Sequence, residues 1–404
     1  MRAPRRIPWG LVPVSLVLAV VLAATLAPAT AFAAGPLVEL VTVGPGSDDL
    51  ELYGHSALCF PSDGAGNEPC YDFGVAGGDR DVDGLVWDTV RGRPRFTPVT
   101  VQRSLLVSSF EDEERSVWVQ DLPLDGQAAS ALQASLEADV TARRPYAYHP
   151  YYDNCTTRLR DALDRATAGK LREDAGAPAG GQRLRALSEQ GFSGRVLELA
   201  GLALFLGSRA DRVPTAWEAM FLPAGLRDAV ATRLGAPPRQ LHERREAVVP
   251  TSAQAGRVAL VLLGALLAGA VAYGARRSAR GLRIALGIAG VVLGLLGLAV
   301  DAVWVVSQLP ELGGNWVALV LVPTDALLGF APARLVRRYL GVRLGMLALL
   351  ATLSATGLVA QPLVAVCLLA ALPLGAGHLA ARRRAATAEP LATPTARGTT
   401  ATSP

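Results

Sequence analysis

The chain has 404 residues, 51% of them hydrophobic and 18% charged, with a formal net charge of +4. These averages hide two unlike parts and exclude both a disordered chain and a single soluble globule. From 251 to 381 the acids almost vanish, leaving Asp301, Glu311 and Asp325, so that stretch has too few polar residues for a soluble surface.

In chain order, Arg2, Arg5 and Arg6 precede the apolar run Leu11–Leu26, and Ala31-Phe32-Ala33 fits a small-residue cleavage site. Residues 1–34 therefore read as a signal peptide, the alternative being an uncleaved anchor; either one exports the domain after Ala34. Residues 35–250 mix polar and apolar positions like a globular domain. Leu37–Val43, Ser56–Phe60 and Cys70–Gly74 are strand-like, the last two forming a hairpin across the Gly- and Asn-containing loop Pro61–Pro69. Arg115–Leu122 alternates and ends before Pro123, predicting another strand. Gln127–Ala142 is helical with Asp125 as a cap, and Thr156–Thr167 is a second helix. Val196–Gly207 is apolar but too short to span a membrane, and Glu198 interrupts it, so a core helix is expected. Helices and strands segregate, giving an α+β class.

Apolar segments then recur at about 256–275, 284–306, 315–332, 344–360 and 362–380, predicting an all-α transmembrane bundle of about five helices. Arg276, Arg277, Arg280 and Arg283 lie between the first two. Arg334, Arg337, Arg338 and Arg343 lie between the third and fourth, and Arg382, Arg383 and Arg384 follow the fifth. The remaining connectors, Ser307–Gly314 and the turn at Gln361, carry no Lys or Arg. This alternation places the N-terminal domain outside, as the export signal does independently, and the C-terminus in the cytoplasm. The arginines account for the net charge, so no nucleic-acid partner is implied. Residues 382–404, rich in Ala, Thr and Pro, are expected to form a disordered cytoplasmic tail. Asp325, deep in the third segment, is costly in a membrane and marks a functional-site candidate, whereas Asp301 lies near the outer end of its span.

Four cysteines sort by position. Cys367 falls in the last span as a small apolar residue. Cys59 and Cys70 flank the hairpin loop in an exported domain, where a disulfide can persist. Cys155 remains, at the start of a predicted helix, where the helix dipole favours a thiolate. Of the histidines, His55 enters the hairpin, His149 lies six residues before Cys155, and His242 sits in an Arg/Glu-rich stretch that reads as solvated. A cysteine with a distant histidine is compatible with a thiol enzyme or with two structural residues. No metal cluster, phosphate loop or dinucleotide fingerprint is present, so no cofactor is expected.

Gly54-His55-Ser56, Tyr71-Asp72-Phe73-Gly74, Tyr146-Ala147-Tyr148 and Tyr152-Asp153-Asn154-Cys155-Thr156-Thr157-Arg158-Leu159-Arg160-Asp161, in this order, resemble the periplasmic domain of the Lnb family. Trp217–Pro223 resembles a later motif of that family, and Asn315–Pro323 a stretch of its membrane part. The resemblance implies a circularly permuted papain-like (NlpC-type) thiol domain, in which the histidine strand precedes the cysteine helix. It implies that Cys155 is the nucleophile and His55 its base. Asp72 would orient the imidazole, and Tyr71 or Asn154 would support the oxyanion. The implied reaction moves an acyl chain from a phospholipid donor to a lipoprotein amine at the bacterial plasma membrane. Two features depart from the family pattern: the cysteine-flanked loop, and Tyr71 or Asp72 where permuted relatives often carry a second histidine. A hydrolase of cell-wall peptide with the same dyad, and a non-catalytic binding module, are the alternatives.

Overall fold

The computed structural model describes residues 37–46, 52–61, 68–76, 82–245 and 252–388. The expected signal peptide, the interior of the hairpin loop and the chain beyond 388 lie outside the described residues. The N-terminal domain is built on a sheet of β1 (Glu39–Val43), β2 (His55–Cys59), β3 (Pro69–Ala76), β4 (Arg95–Gln102), β5 (Val117–Asp121), β6 (Tyr146–Ala147) and β7 (Arg239–His242). Their spatial order is β6-β4-β3-β2-β1-β5-β7 and every pairing is antiparallel. Helix α1 (Val82–Val90) precedes β4, and α2 (Arg103–Asp112) follows it. Next come α3 (Gly126–Thr141), α4 (Cys155–Ala166), α5 (Leu184–Gly191), α6 (Val196–Phe205), the short α7 (Ala216–Ala219) and α8 (Pro223–Leu234).

Period-2 alternation gives the sheet two apolar faces. Leu40, Leu58, Tyr71 and Phe73 pack with α3, α4 and α8 on one side. Val41, Val43, Ala57 and Val117 pack with Leu106 and Phe110 of α2 on the other. The predicted cap of α3 is present, Ala128 N donating to Asp125 Oδ1 at 2.8 Å. His242 is not a solvated juxtamembrane residue: it ends β7, paired with Val117, and is half-buried. Its surroundings look polar in sequence because β7 is an edge strand.

Cys59 and Cys70 are cross-strand partners and form a disulfide. Closing so short a loop contributes on the order of 3 kcal/mol by chain entropy. Alkylation of the unreduced, denatured protein should therefore modify Cys155 and Cys367 and spare these two; labelling of Cys59 before reduction would contradict the bridge.

Five segments are long and apolar enough to cross a membrane. Four are continuous helices: α9 (Gln254–Arg277), α10 (Ala279–Val306), α12 (Ala333–Ala355) and α13 (Val364–Ala388). The predicted continuous helix at 315–332 is instead broken. Only α11 (Val317–Val320) is α-helical, and a 3-10 turn follows at Pro323–Gly329. Leu321 and Val322 are extended, and Pro323 has no N–H to continue the ladder. Irregular backbone at membrane depth is tolerated where protein covers it. Here α10 covers it with a glycine stripe: a Cβ at Gly290 would strike the Asp325 carbonyl, and one at Gly297 the Leu321 carbonyl.

Arg343 belongs to no connector. It lies well inside α12, which begins at Ala333, and forms an ion pair with Asp325 at 2.7 Å. The basic connector keeps Arg334, Arg337 and Arg338. Arg343 Nη2 also donates to the Val320 carbonyl at 2.8 Å, which the helix break leaves without an intrahelical donor. Tyr339 donates to Asp325 Oδ1 at 2.6 Å. The last helix continues over Arg382, Arg383 and Arg384 to Ala388, beyond the expected start of the tail.

The predicted core helix at 196–207 also has a different setting. Ala200, Ala203 and Leu204 of α6 enter the core of the bundle, not that of the sheet, while Leu197 stays exposed. Asn315 Nδ2 donates to the Leu204 carbonyl at 2.8 Å and Gln361 Nε2 to the Leu206 carbonyl at 3.0 Å, capping the end of α6. Gln308 N donates to the Arg91 carbonyl at 3.0 Å. Both arginine-free connectors therefore touch the N-terminal domain and share one side of the bundle.

Candidate active site

Gly54 opens the strand that carries His55. Its φ of +87° and its contact with the Val43 carbonyl both require the absence of a Cβ. On the neighbouring strand β3 the register shifts between Asp72 and Val75. That bulge brings Asp72 to the imidazole, with Asp72 Oδ1 2.9 Å from His55 Nε2. Gly74 N donates to the same Asp72 oxygen at 2.6 Å.

Cys155 begins α4. Asn154 caps it with a reciprocal capping box: Thr157 N donates to Asn154 Oδ1 at 2.8 Å, and Asn154 N donates to Thr157 Oγ1 at 2.7 Å. The thiol is thus held among the free amides of a helix N-terminus, half-buried. Thr156 donates to Ser56 Oγ at 3.3 Å, tying the helix start to the residue after His55.

Burial alone would push the His55 imidazole down. Asp72 and Cys155 outweigh it, holding His55 well above its ordinary 6.5. Burial would push the Asp72 carboxyl up, but His55 and the Gly74 amide hold it below its ordinary 3.8. His55 and Asp72 thus pair across β2 and β3, and Cys155 at the start of α4 lies near enough to raise the imidazole's pKa. With Nε2 facing Asp72, Nδ1 is the nitrogen left for the thiol.

Two expected supporters are committed elsewhere. Tyr71 is buried on the opposite face of β3 from Asp72 and donates to Glu137 Oε2 at 2.9 Å. Asn154 spends its amide on the carbonyls of Pro150, at 2.8 Å, and Phe221, at 3.1 Å, while its oxygen caps α4. Neither is free to support an oxyanion, and the Cys155 amide remains as a donor at that position. His149 is not beside the thiol pair. Tyr151 N donates to its Nδ1 at 3.2 Å, its Nε2 faces Glu311 at 3.6 Å, and burial pushes its pKa below the usual value.

The sequence motifs contain Gly74 and Tyr148 but give Gly74 no role, and Tyr148 reads there as a packing residue. A Cβ on Gly74 would lie 2.5 Å from His55 Cε1, so any side chain there displaces the imidazole. Tyr148 stacks on Phe96 with ring centroids 4.3 Å apart, and both burial and Cys155 raise its pKa. Only the chain's own Gly after Asp72-Phe73 could have signalled the first. Gly74→Ala should slow Cys155 alkylation and any reaction of the thiol by about tenfold or more while the chain still accumulates; an unchanged rate would show that the ring accommodates the methyl group.

A sheet domain docked on one side of a bundle of five segments long and apolar enough to cross a membrane is the architecture of a multi-pass membrane protein that carries an α+β domain. Residues 29–190 match the family described as the Lnb N-terminal periplasmic domain. No curated protein and no solved structure matches the chain.

Proposed function

We propose that the protein is a membrane-bound cysteine acyltransferase with a permuted papain-like domain, moving an acyl chain from phospholipid to an amine, the N-terminus of lipoproteins. The observation that carries this reading is the Cys155–His55–Asp72 constellation at a helix N-terminus, in a domain fixed to a membrane bundle. The Cys155 thiolate attacks the ester carbonyl of the donor, paired with a His55 imidazolium that Asp72 holds charged. The developing oxyanion accepts from the Cys155 amide. His55 protonates the departing alcohol, the lysophospholipid, leaving an acyl thioester on Cys155. The acceptor amine attacks that thioester, its proton passes to His55, and the imidazolium–thiolate pair is restored.

Lipid mass spectrometry of lipoproteins tests this reading. Cells carrying the chain should gain an N-linked acyl group that is missing with Cys155→Ala. Muropeptide cleavage with unchanged lipoproteins would identify a thiol hydrolase instead.

The same reading places residues 35–250 outside the plasma membrane and the C-terminus in the cytoplasm. Reporter fusions after Gly314 should read outside and those after Arg384 inside; the reverse pattern would overturn this topology.

A further inference from the structure

Glu311 sits on a three-residue 3-10 turn between two apolar segments, yet only 2% of it is exposed. A buried carboxylate needs partners, because desolvation costs it several kcal/mol otherwise. Its partners all come from the N-terminal domain. Tyr152 OH donates to Glu311 Oε1 at 2.7 Å, and His149 Nε2 faces Oε2 at 3.6 Å. Gly207 N donates to the Glu311 carbonyl at 2.8 Å. Tyr152 OH in turn accepts from Arg212 Nη2 at 2.9 Å, and Arg212 is held by both oxygens of Glu218 at 2.7 Å.

Tyr152, which Glu311 holds by a hydrogen bond, and His149, which faces its other oxygen, belong to one tight loop. His149 N donates to the Asp153 carbonyl at 2.8 Å and Asp153 N returns to the His149 carbonyl at 3.2 Å, so 149–153 closes on itself. The next residue is the Asn154 cap, and the one after it is Cys155. The carboxylate therefore grips the segment that sets where α4 begins and where its first side chain points.

We propose that Glu311 is a positioning residue for the Cys155 thiol: the outer connector of the membrane bundle completes the active site by holding the nucleophile loop through Tyr152. This rests on the reading of Cys155 as the nucleophile, but not on the identity of its acyl donor or acceptor. It also assigns the membrane bundle a part in the chemistry beyond anchoring, since the α10-to-α11 connector sets the geometry of a thiol on a separate domain.

The test is the rate of Cys155 alkylation by iodoacetamide in the full-length protein in membranes, measured against pH, for Glu311→Ala, Glu311→Gln and Tyr152→Phe. Glu311→Ala and Tyr152→Phe should each slow labelling by about tenfold, the scale on which a small misplacement of a reacting group acts. Glu311→Gln, whose amide oxygen still accepts from Tyr152, should recover most of the rate. Asn315→Ala, which loosens docking away from the loop, should label at the wild-type rate. A role in docking alone would make Asn315→Ala and Glu311→Ala alike, and that result overturns the proposal. Wild-type labelling of Tyr152→Phe overturns it too, and does so even if Glu311→Ala fails to accumulate. Full acyl transfer by Cys155→Ala would sink the catalytic reading instead, and the labelling rates would still report the clamp.

Discussion

Cys155→Ala, Cys155→Ser and His55→Ala should each lower acyl transfer by about a thousandfold or more, and the Cys155→Ala/His55→Ala pair should be no worse than either alone. A base without its nucleophile has nothing to activate, so the losses do not add. The electrostatics set the sign of the pH dependence. Because the folded His55 holds its proton above the ordinary 6.5, its pairing with Asp72 stabilises the fold fully below that value. The contribution fades as pH rises through the elevated pKa. On the acid side, the depressed Asp72 carboxyl keeps its contribution above the ordinary 3.8 and loses it as pH falls through its lower folded pKa. Activity should therefore persist on the alkaline side of neutrality and fall once the imidazolium is titrated. Asp72→Asn should bring that fall to lower pH while the variant still accumulates in the membrane; an unmoved pH profile would remove Asp72 from the unit.

The second large effect lies in the bundle. Arg343→Met should destabilise the protein by about 3–5 kcal/mol, because it leaves the Asp325 carboxylate buried without its partner. Asp325 is 0% exposed and Arg343 4%, so water cannot take over either role. The same substitution strips the Val320 carbonyl of the donor that the broken helix gives it. In the Asp325→Leu/Arg343→Met double variant no charge remains unpaired, and more than half of the loss should return. The Val320 carbonyl still lacks its donor there, at about 1–3 kcal/mol, while the Tyr339 hydroxyl keeps Thr324 Oγ1 at 2.9 Å, so recovery stays partial. Thermal unfolding in detergent reads the difference. Equal destabilisation of the single and double variants would show that packing, not the ion pair, holds the break together.

The site is legible in sequence where its signal is local. Asp125 reads as the cap of a helix, and Cys59 and Cys70 flank one hairpin. The line from Cys155 through His55 to Asp72 needs the family order as well, since nothing local joins a strand to a helix so far along the chain. Tyr71 misleads because neighbouring strand positions point to opposite faces: Asp72 faces His55, so Tyr71 faces Glu137.

Arg343 misleads for a related reason. A lone arginine before an apolar run reads as a span boundary, and only the tertiary pairing with Asp325 shows that the helix begins earlier, at Ala333. The break in the third segment depends on glycines of α10 that face it, and α6 reads as a core helix of the sheet domain until the bundle supplies the core it enters. Glu311 gives no signal at all, because its partner Tyr152 lies 159 residues away, beyond the reach of any local pattern.

The most direct measurement is the covalent intermediate. Protein purified from membranes and quenched in acid should carry, on the peptide containing Cys155, a mass increment equal to a phospholipid acyl chain. Hydroxylamine should release it, and adding an acceptor peptide with a free N-terminus should discharge it into an amide. A His55→Ala protein should carry none. An unmodified Cys155 peptide under conditions in which lipoproteins are still being acylated would contradict the account.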